Sequence, residues 1–246
     1  PEDVNPREMI SYAKLKLKES AGELSEIKVE SRDYFQVLSR TIRLMAALQI
    51  EPEVFKRLTA VRGGKKTSAE SVFYFGCNIL QTPHILLSCM DVFDRMGLDY
   101  EVAGGVAHCC GITHIRRGDL EGGAAMGRRS LDMFKAFNPE NVITFCPTCQ
   151  MQYTENINIY SGPQGDSLPF IHISRYLMER IDDLKALFIR PVNKRVAVHL
   201  HGGTDGVEEN VQGILRNVPG LEVVEIEQHA DHGYQCPTLH VPGAKD

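Results

Sequence analysis

Ser71-Val72-Phe73-Tyr74-Phe75-Gly76-Cys77, Tyr100-Glu101-Val102-Ala103-Gly104-Gly105 and Val142-Ile143-Thr144-Phe145-Cys146-Pro147-Thr148-Cys149 share one grammar. Each is a short apolar run ended by turn residues or cysteine. Between them lie stretches of helical character, Pro83 to Met96 and Leu120 to Phe137. Strands alternating with helices predict right-handed crossovers and a parallel sheet, so the fold class is α/β. Parallel strands present their C-terminal ends on one edge, where ligand sites form. Cys77 and Cys146 end their strands, Cys149 follows, and Cys109-Cys110 lie just past Gly104-Gly105. Thiols far apart in sequence are therefore expected to converge.

The pattern extends both ways. After Pro169-Phe170-Ile171 a helix is expected over Ser174 to Leu187, then a strand Arg195–His201, a helix Glu208–Asn217 and a strand Leu221–Glu227. This repeats the strand-helix-strand order of the first half, so two related units are expected, with boundaries 71–165 and 166–246. Upstream, residues 1–66 read as a helical extension. Asn5-Pro6-Arg7-Glu8 supplies an N-cap, a first-turn proline and an N3 glutamate. A second helix is expected from Ser31, with Phe35, Leu38, Ile42 and Met45 on one face, and a shorter one after Glu51-Pro52. Arg62 to Ser68 reads as a linker. So small an extension is expected to dock on the rest of the chain or on a partner.

Composition narrows the function. The 246 residues are 43% hydrophobic and 24% charged, enough for a real core. The net charge of −5 argues against a general nucleic-acid binder. No apolar run approaches the roughly 18 residues a membrane helix needs. Pro1-Glu2-Asp3 does not read as a secretion signal, and Pro1 in place of Met is expected of a processed, cut or partial chain. The cysteines, Cys77, Cys89, Cys109, Cys110, Cys146, Cys149 and Cys236, are odd in number and concentrated in pairs. That suits a reducing, cytoplasmic setting and a metal centre better than a disulfide framework. Cys89, mid-helix, reads as a small buried hydrophobe.

Three chemistries fit the clustered thiols. A strand-CPTC-helix dithiol leaves Cys77, Cys109 and Cys110 unused. A structural zinc wants four ligands in a tetrahedron, which five thiols overshoot. Iron–sulfur groups take thiolates readily, though a ferredoxin run of closely spaced cysteines is absent. The Cys146-Pro147-Thr148-Cys149 pair opens a helix whose N-terminus favours thiolate. Gly104, Gly105 and Gly111 are expected to bring the backbone close to a bulky cofactor.

The full pattern, C-x31-CC-x35-C-x2-C with Gly111 completing Cys-Cys-Gly, closely resembles the CCG domain of the B-type heterodisulfide reductase proteins and their relatives. The resemblance covers roughly residues 71–240. It implies that Cys77, Cys109, Cys110, Cys146 and Cys149 ligate one non-cubane [4Fe-4S] cluster, with zinc as the alternative metal. It also implies redox chemistry on disulfides. His108 and His114 flank the turn, His108 and Gly111 stand as candidate residues beside the ligands, and His108 is a candidate hydrogen-bond donor to a cluster sulfur or substrate. The second half departs from the family: His199-Leu200-His201 stands where a first cysteine would end the strand, and His232-Gly233-Tyr234-Gln235-Cys236 where Cys-Cys-Gly would come. His199, His201, His229, His232 and His240 read as solvated, or as a metal site replacing a lost second cluster. Residues 1–66 resemble the helical part of the ferredoxin-like C-type proteins of such complexes, without their cubane-binding cysteines. A protein with one intact motif and such an extension is similar to those of heterodisulfide reductase-like complexes in sulfur-oxidising bacteria. That implies oxidation of sulfur bound to a lipoate-binding protein, with ferredoxin-like C-type and flavin-containing A-type proteins as partners. A module for electron transfer and assembly, without its own substrate site, is the rival reading.

Overall fold

A computed structural model describes residues 6–59, 68–154, 168–198 and 206–224. It divides into two compact units, residues 1–173 and 174–246.

The first unit opens with helices. α1 (Pro6–Ser20) and α2 (Leu24–Ala47) are joined by a turn at Gly22, and α3 (Pro52–Thr59) follows. α2 begins well before Ser31, because Ile27 and Ser31 continue the buried stripe of Ile42 and Ala46. Met45, expected on that stripe, is exposed. Asn5 and residues 62–67 of the expected linker lie outside the described residues.

The sheet contains β1 (Ser71–Tyr74), β2 (Tyr100–Ala103), β3 (Asn141–Thr144) and β4 (Phe170–His172), in the order β2-β1-β3-β4. All three pairings are parallel. β1 is central and registers Tyr74 against both Ala103 and Thr144, so three strands end level on one edge. The connection leaves β1 toward β2 on one side and reaches β3 on the other, a topological switch point. β4 lies past the expected limit of the first unit at residue 165. Three residues are too few for a strand period to be legible, and pairing with β3 defines it.

β1 is buried on both faces, as parallel strands under two helical layers are. α4 (Pro83–Arg95) covers one face, where Phe93 meets Phe73 edge-on at 5.0 Å. α6 (Leu120–Lys135) covers the other. There Tyr74 meets Phe134 at 4.7 Å, and Tyr153 stacks on Phe170 at 4.9 Å. Tyr153 belongs to α7 (Pro147–Thr154). Each of the fully buried rings, Phe73, Tyr74, Phe93, Phe134 and Tyr153, is worth about 1.5–3 kcal/mol of transfer free energy.

In the second unit, the helix expected over Ser174–Leu187 is broken into α8 (Ile173–Glu179) and α9 (Ile181–Lys185), because Arg180 leaves helical geometry. β5 (Lys194–Ala197), α10 (Val207–Arg216) and β6 (Leu221–Val224) follow, with β5 and β6 parallel. This repeats the β1-α4-β2 order. The histidines from His199 onward and Cys236 lie outside the described residues. No helix among the described residues is long and apolar enough to cross a membrane.

Candidate metal centre

Each thiol is set by a local device. Cys77 follows β1 through Gly76, which takes φ +80°. A short 3-10 turn, Asn78–Gln81, then closes with Leu80 N–H donating to the Cys77 carbonyl at 3.3 Å. Gly105 N–H donates to the Gly76 carbonyl at 2.7 Å and ties the β1 and β2 loops together. The Cys109-Cys110 turn is held from below, where Tyr74 hydroxyl donates to the His108 carbonyl at 2.8 Å. Gly111 then starts α5 (Ile112–Ile115) in left-handed geometry. Cys146 stands just before Pro147 at the first position of α7, a placement proline favours.

The five sulfurs form one unbroken chain. Cys77 Sγ lies 3.7 Å from Cys109 Sγ. Cys109 and Cys110 are hydrogen-bonded side by side. Cys149 Sγ lies 3.7 Å from Cys110 Sγ and also meets Cys146. The three inner thiols, Cys109, Cys110 and Cys149, are buried, while the two ends, Cys77 and Cys146, are partly exposed. Cys89 stands apart in α4, and burial pushes its thiol up to about 11. Among the described residues, no three His, Cys, Asp or Glu side chains are arranged to hold a single metal ion.

Charge along the chain is uneven. Hydrogen bonds from Cys110 and Cys77 hold Cys109 well below the usual thiol range, and the Gly111 backbone adds to them. Its neighbours Cys77 and Cys110 are pushed up, chiefly by sharing a hydrogen bond with that thiolate. At the other end, a hydrogen bond from Cys149 and the amides that open α7 bring Cys146 down to about 6. Along the line, Cys109 and Cys146 are held low, while Cys77, Cys110 and Cys149 are pushed up. Because its folded value is depressed, Cys146 adds stability that is full above the ordinary thiol pKa and is lost as pH falls through about 6. In the metal-free, reduced chain, Cys146 is expected to alkylate with iodoacetamide at pH 7 well before Cys77, with a rate midpoint near pH 6. Peptide mass mapping of a pH series checks this, and equal labelling of the two thiols at pH 7 contradicts it.

Beside the three glycines read from sequence, the chain itself fills the space a side chain would take. A Cβ on Gly104 would strike the Phe75 ring at 2.6 Å, and one on Gly105 would meet Thr59 at 3.2 Å. A Cβ on Gly111 would come within 2.2 Å of the Gly123 carbonyl oxygen. Each therefore permits a close approach within the chain that a side chain would block. Gly123 in turn lets α6 approach the turn, since a Cβ there would meet Ile115 at 2.5 Å. The glycine that faces the thiols is Gly76, where a Cβ would lie 3.0 Å from Cys149 Sγ and 3.5 Å from Cys146 Cβ. Its only sequence signal is its place immediately before Cys77.

His108 is half-buried, and its Nδ1 is buried with no hydrogen-bond partner among the described residues. Burial and Arg129 push its imidazole toward the neutral form. The sequence places His114 beside the turn but gives no sign of its pairing with Asp119. His114 Nδ1 and Asp119 Oδ2 are 2.8 Å apart and buried, and Asp119 also caps α6 by accepting from Gly122 N–H. Their five-residue separation matches neither a helix repeat nor a metal motif.

Level parallel strands carrying five linked thiols define a cysteine-rich α/β domain. Residues 71–154 match the cysteine-rich domain family called CCG, and those residues are a domain of that family. Among curated proteins, the chain is 31% identical to the B-type subunit of fumarate reductase (CoM/CoB) from Methanothermobacter marburgensis over 174 residues, 67% of this chain and 32% of that protein. It is 24% identical to the D-type subunit of dihydromethanophenazine:CoB–CoM heterodisulfide reductase from Methanosarcina barkeri over 177 residues, 68% of this chain and 42% of the relative. The counterpart from Methanosarcina mazei is 24% identical over 169 residues, 65% of this chain and 41% of that protein. The chain spans about a third to two-fifths of the length of these relatives. It is similar to proteins of the heterodisulfide reductase kind, as the spacing of its cysteines implies. No solved structure matches it.

Proposed function

We propose that the chain is the iron–sulfur redox component of a heterodisulfide reductase-like complex, and that Cys77, Cys109, Cys110, Cys146 and Cys149 ligate one non-cubane [4Fe-4S] cluster. The observation that carries this is the unbroken line of five sulfurs with thiolate character at Cys109 and Cys146. Thiolates suit iron–sulfur ligation. A line of donors matches a group of several metal atoms better than a tetrahedron around zinc. The names of the relatives, which carry CoM/CoB and heterodisulfide, support redox chemistry at sulfur.

When bound, such a group exchanges electrons with a sulfur substrate. The residues of the chain supply the rest. The Gly111 amide and the amides opening α7 hold negative charge at Cys109 and Cys146. Gly76 keeps space beside Cys149 clear. Tyr74, Phe134 and Tyr153 form a dry layer under the thiols. His108 offers Nδ1 as a polar contact at the turn. The partly exposed ends, Cys77 and Cys146, favour access by a substrate over a sealed electron relay. The finer reading is oxidation of sulfur on a lipoate-binding protein, with electrons leaving through ferredoxin-like and flavin-containing partners.

The test is iron, acid-labile sulfide and zinc per chain after anaerobic purification, with an EPR spectrum after oxidation. The expected result is about four irons and four sulfides with a non-cubane signal. Zinc without sulfide overturns the proposal.

A further inference from the structure

The large apolar side chains left exposed are concentrated in one place. Of the twelve among the described residues, ten, from Met9 to Leu48, belong to α1, α2 and the residue that closes α2. On α2, Val37, Leu44 and Leu48 follow one another at spacings of seven and four, which is one face of the helix. They are 61%, 61% and 74% exposed. The stripe runs eleven residues, about 16 Å at 1.5 Å per residue. Apolar surface of this kind, left uncovered on a rigid element, marks an interaction site.

A cavity of about 430 Å³ opens beside the stripe. Ala47, Ile50, Phe55, Leu80 and Val106 line it with apolar surface, and Arg43 is its one charged lining residue. Arg40 and Arg43 are exposed and form the border of the stripe. Neither has an acidic partner among the described residues. The nearby Asp33 carboxylate faces Arg32, 3.7 Å away.

We propose that this face of α2 receives an amphipathic helix of another protein, with an acidic flank against Arg40 and Arg43 and one large apolar side chain seated in the cavity. A small molecule would use the cavity alone and leave three turns of apolar helix in water. A helix covers both, in the manner of helix-in-groove recognition with a central anchor. The unpaired guanidinium groups choose the sign of the flank. The proposal is independent of the metal reading, since none of the five clustered thiols lines the cavity.

The test uses the whole chain and an 18-residue Leu/Glu amphipathic peptide carrying one Trp, a clean reporter because the chain has no Trp. The Trp signal should saturate with peptide, and a Leu/Lys peptide with the same apolar face should bind at least about tenfold more weakly. Leu44→Asp with Leu48→Asp should cost at least about tenfold, and Ala47→Phe, which narrows the cavity, a similar factor. Arg40→Glu with Arg43→Glu should reverse the preference between the peptides. All five positions are exposed, so an unchanged melting curve assigns these losses to the surface. Failure of the Leu/Glu peptide to bind, equal binding of both peptides, or full binding by the Leu44/Leu48 variant overturns the proposal. Self-association abolished by that same pair of substitutions also overturns it, assigning the face to a second copy of the chain.

Discussion

Changing Cys109 and Cys110 together to serine should lower bound iron and acid-labile sulfide by at least roughly tenfold, since even outer-shell partners of metal sites are worth 10–100-fold. The two residues are the middle of the sulfur line. Without them, Cys77 is parted from Cys149 and Cys146, and no remaining contact joins the two ends. Serine keeps the size and hydrogen-bonding capacity of the side chain, so the fold should survive. Cys89→Ser is the control, because that thiol stands apart from the line and should leave both contents unchanged. Iron and sulfide analysis with circular dichroism on all three proteins decides it. Unchanged iron in a folded Cys109/Cys110 variant would sink the five-ligand reading.

Gly111→Ala should be the most damaging single-methyl addition in the domain. The residue sits at φ +80°, where a Cβ costs about 1–2 kcal/mol. The added methyl would also lie 2.2 Å from the Gly123 carbonyl oxygen, a backbone atom that cannot swing aside. Overpacking adds about 1–3 kcal/mol. The sum is about 3 kcal/mol, or a fall in Tm of about 6–12 °C for a unit of this size. Gly22→Ala separates the two effects. It has φ +73° and nothing within 4 Å of the added carbon, so only the conformational cost of about 1–2 kcal/mol applies. Equal melting temperatures for the two variants would show that contact between the turn and α6 does not hold the domain.

The α/β class was legible because alternation of short apolar runs with helical stretches is a local signal. The apolar runs Val72–Phe75, Tyr100–Ala103 and Val142–Phe145 lie within one residue of β1, β2 and β3 for the same reason. Strand direction and equal strand length then place Cys77, the Cys109-Cys110 turn and Cys146 on one edge, so their convergence follows from chain order alone. What the local signal missed is short or non-periodic. β4 exists only through its pairing with β3, and α2 starts early because a buried stripe continues past the expected turn.

The sequence by itself determined the parallel sheet, the edge that carries the thiols and the resemblance to CCG domains, because each is written in periodicity or spacing along the chain. Only the tertiary structure decided the order of the sulfurs, Cys77-Cys109-Cys110-Cys149-Cys146, and which of them are held low. Both depend on distances between atoms remote in sequence and on amides supplied by neighbouring turns. It also decided that Gly76, rather than Gly104, Gly105 or Gly111, faces the thiols. A glycine's role depends on what would stand where its side chain is missing, and packing alone determines that.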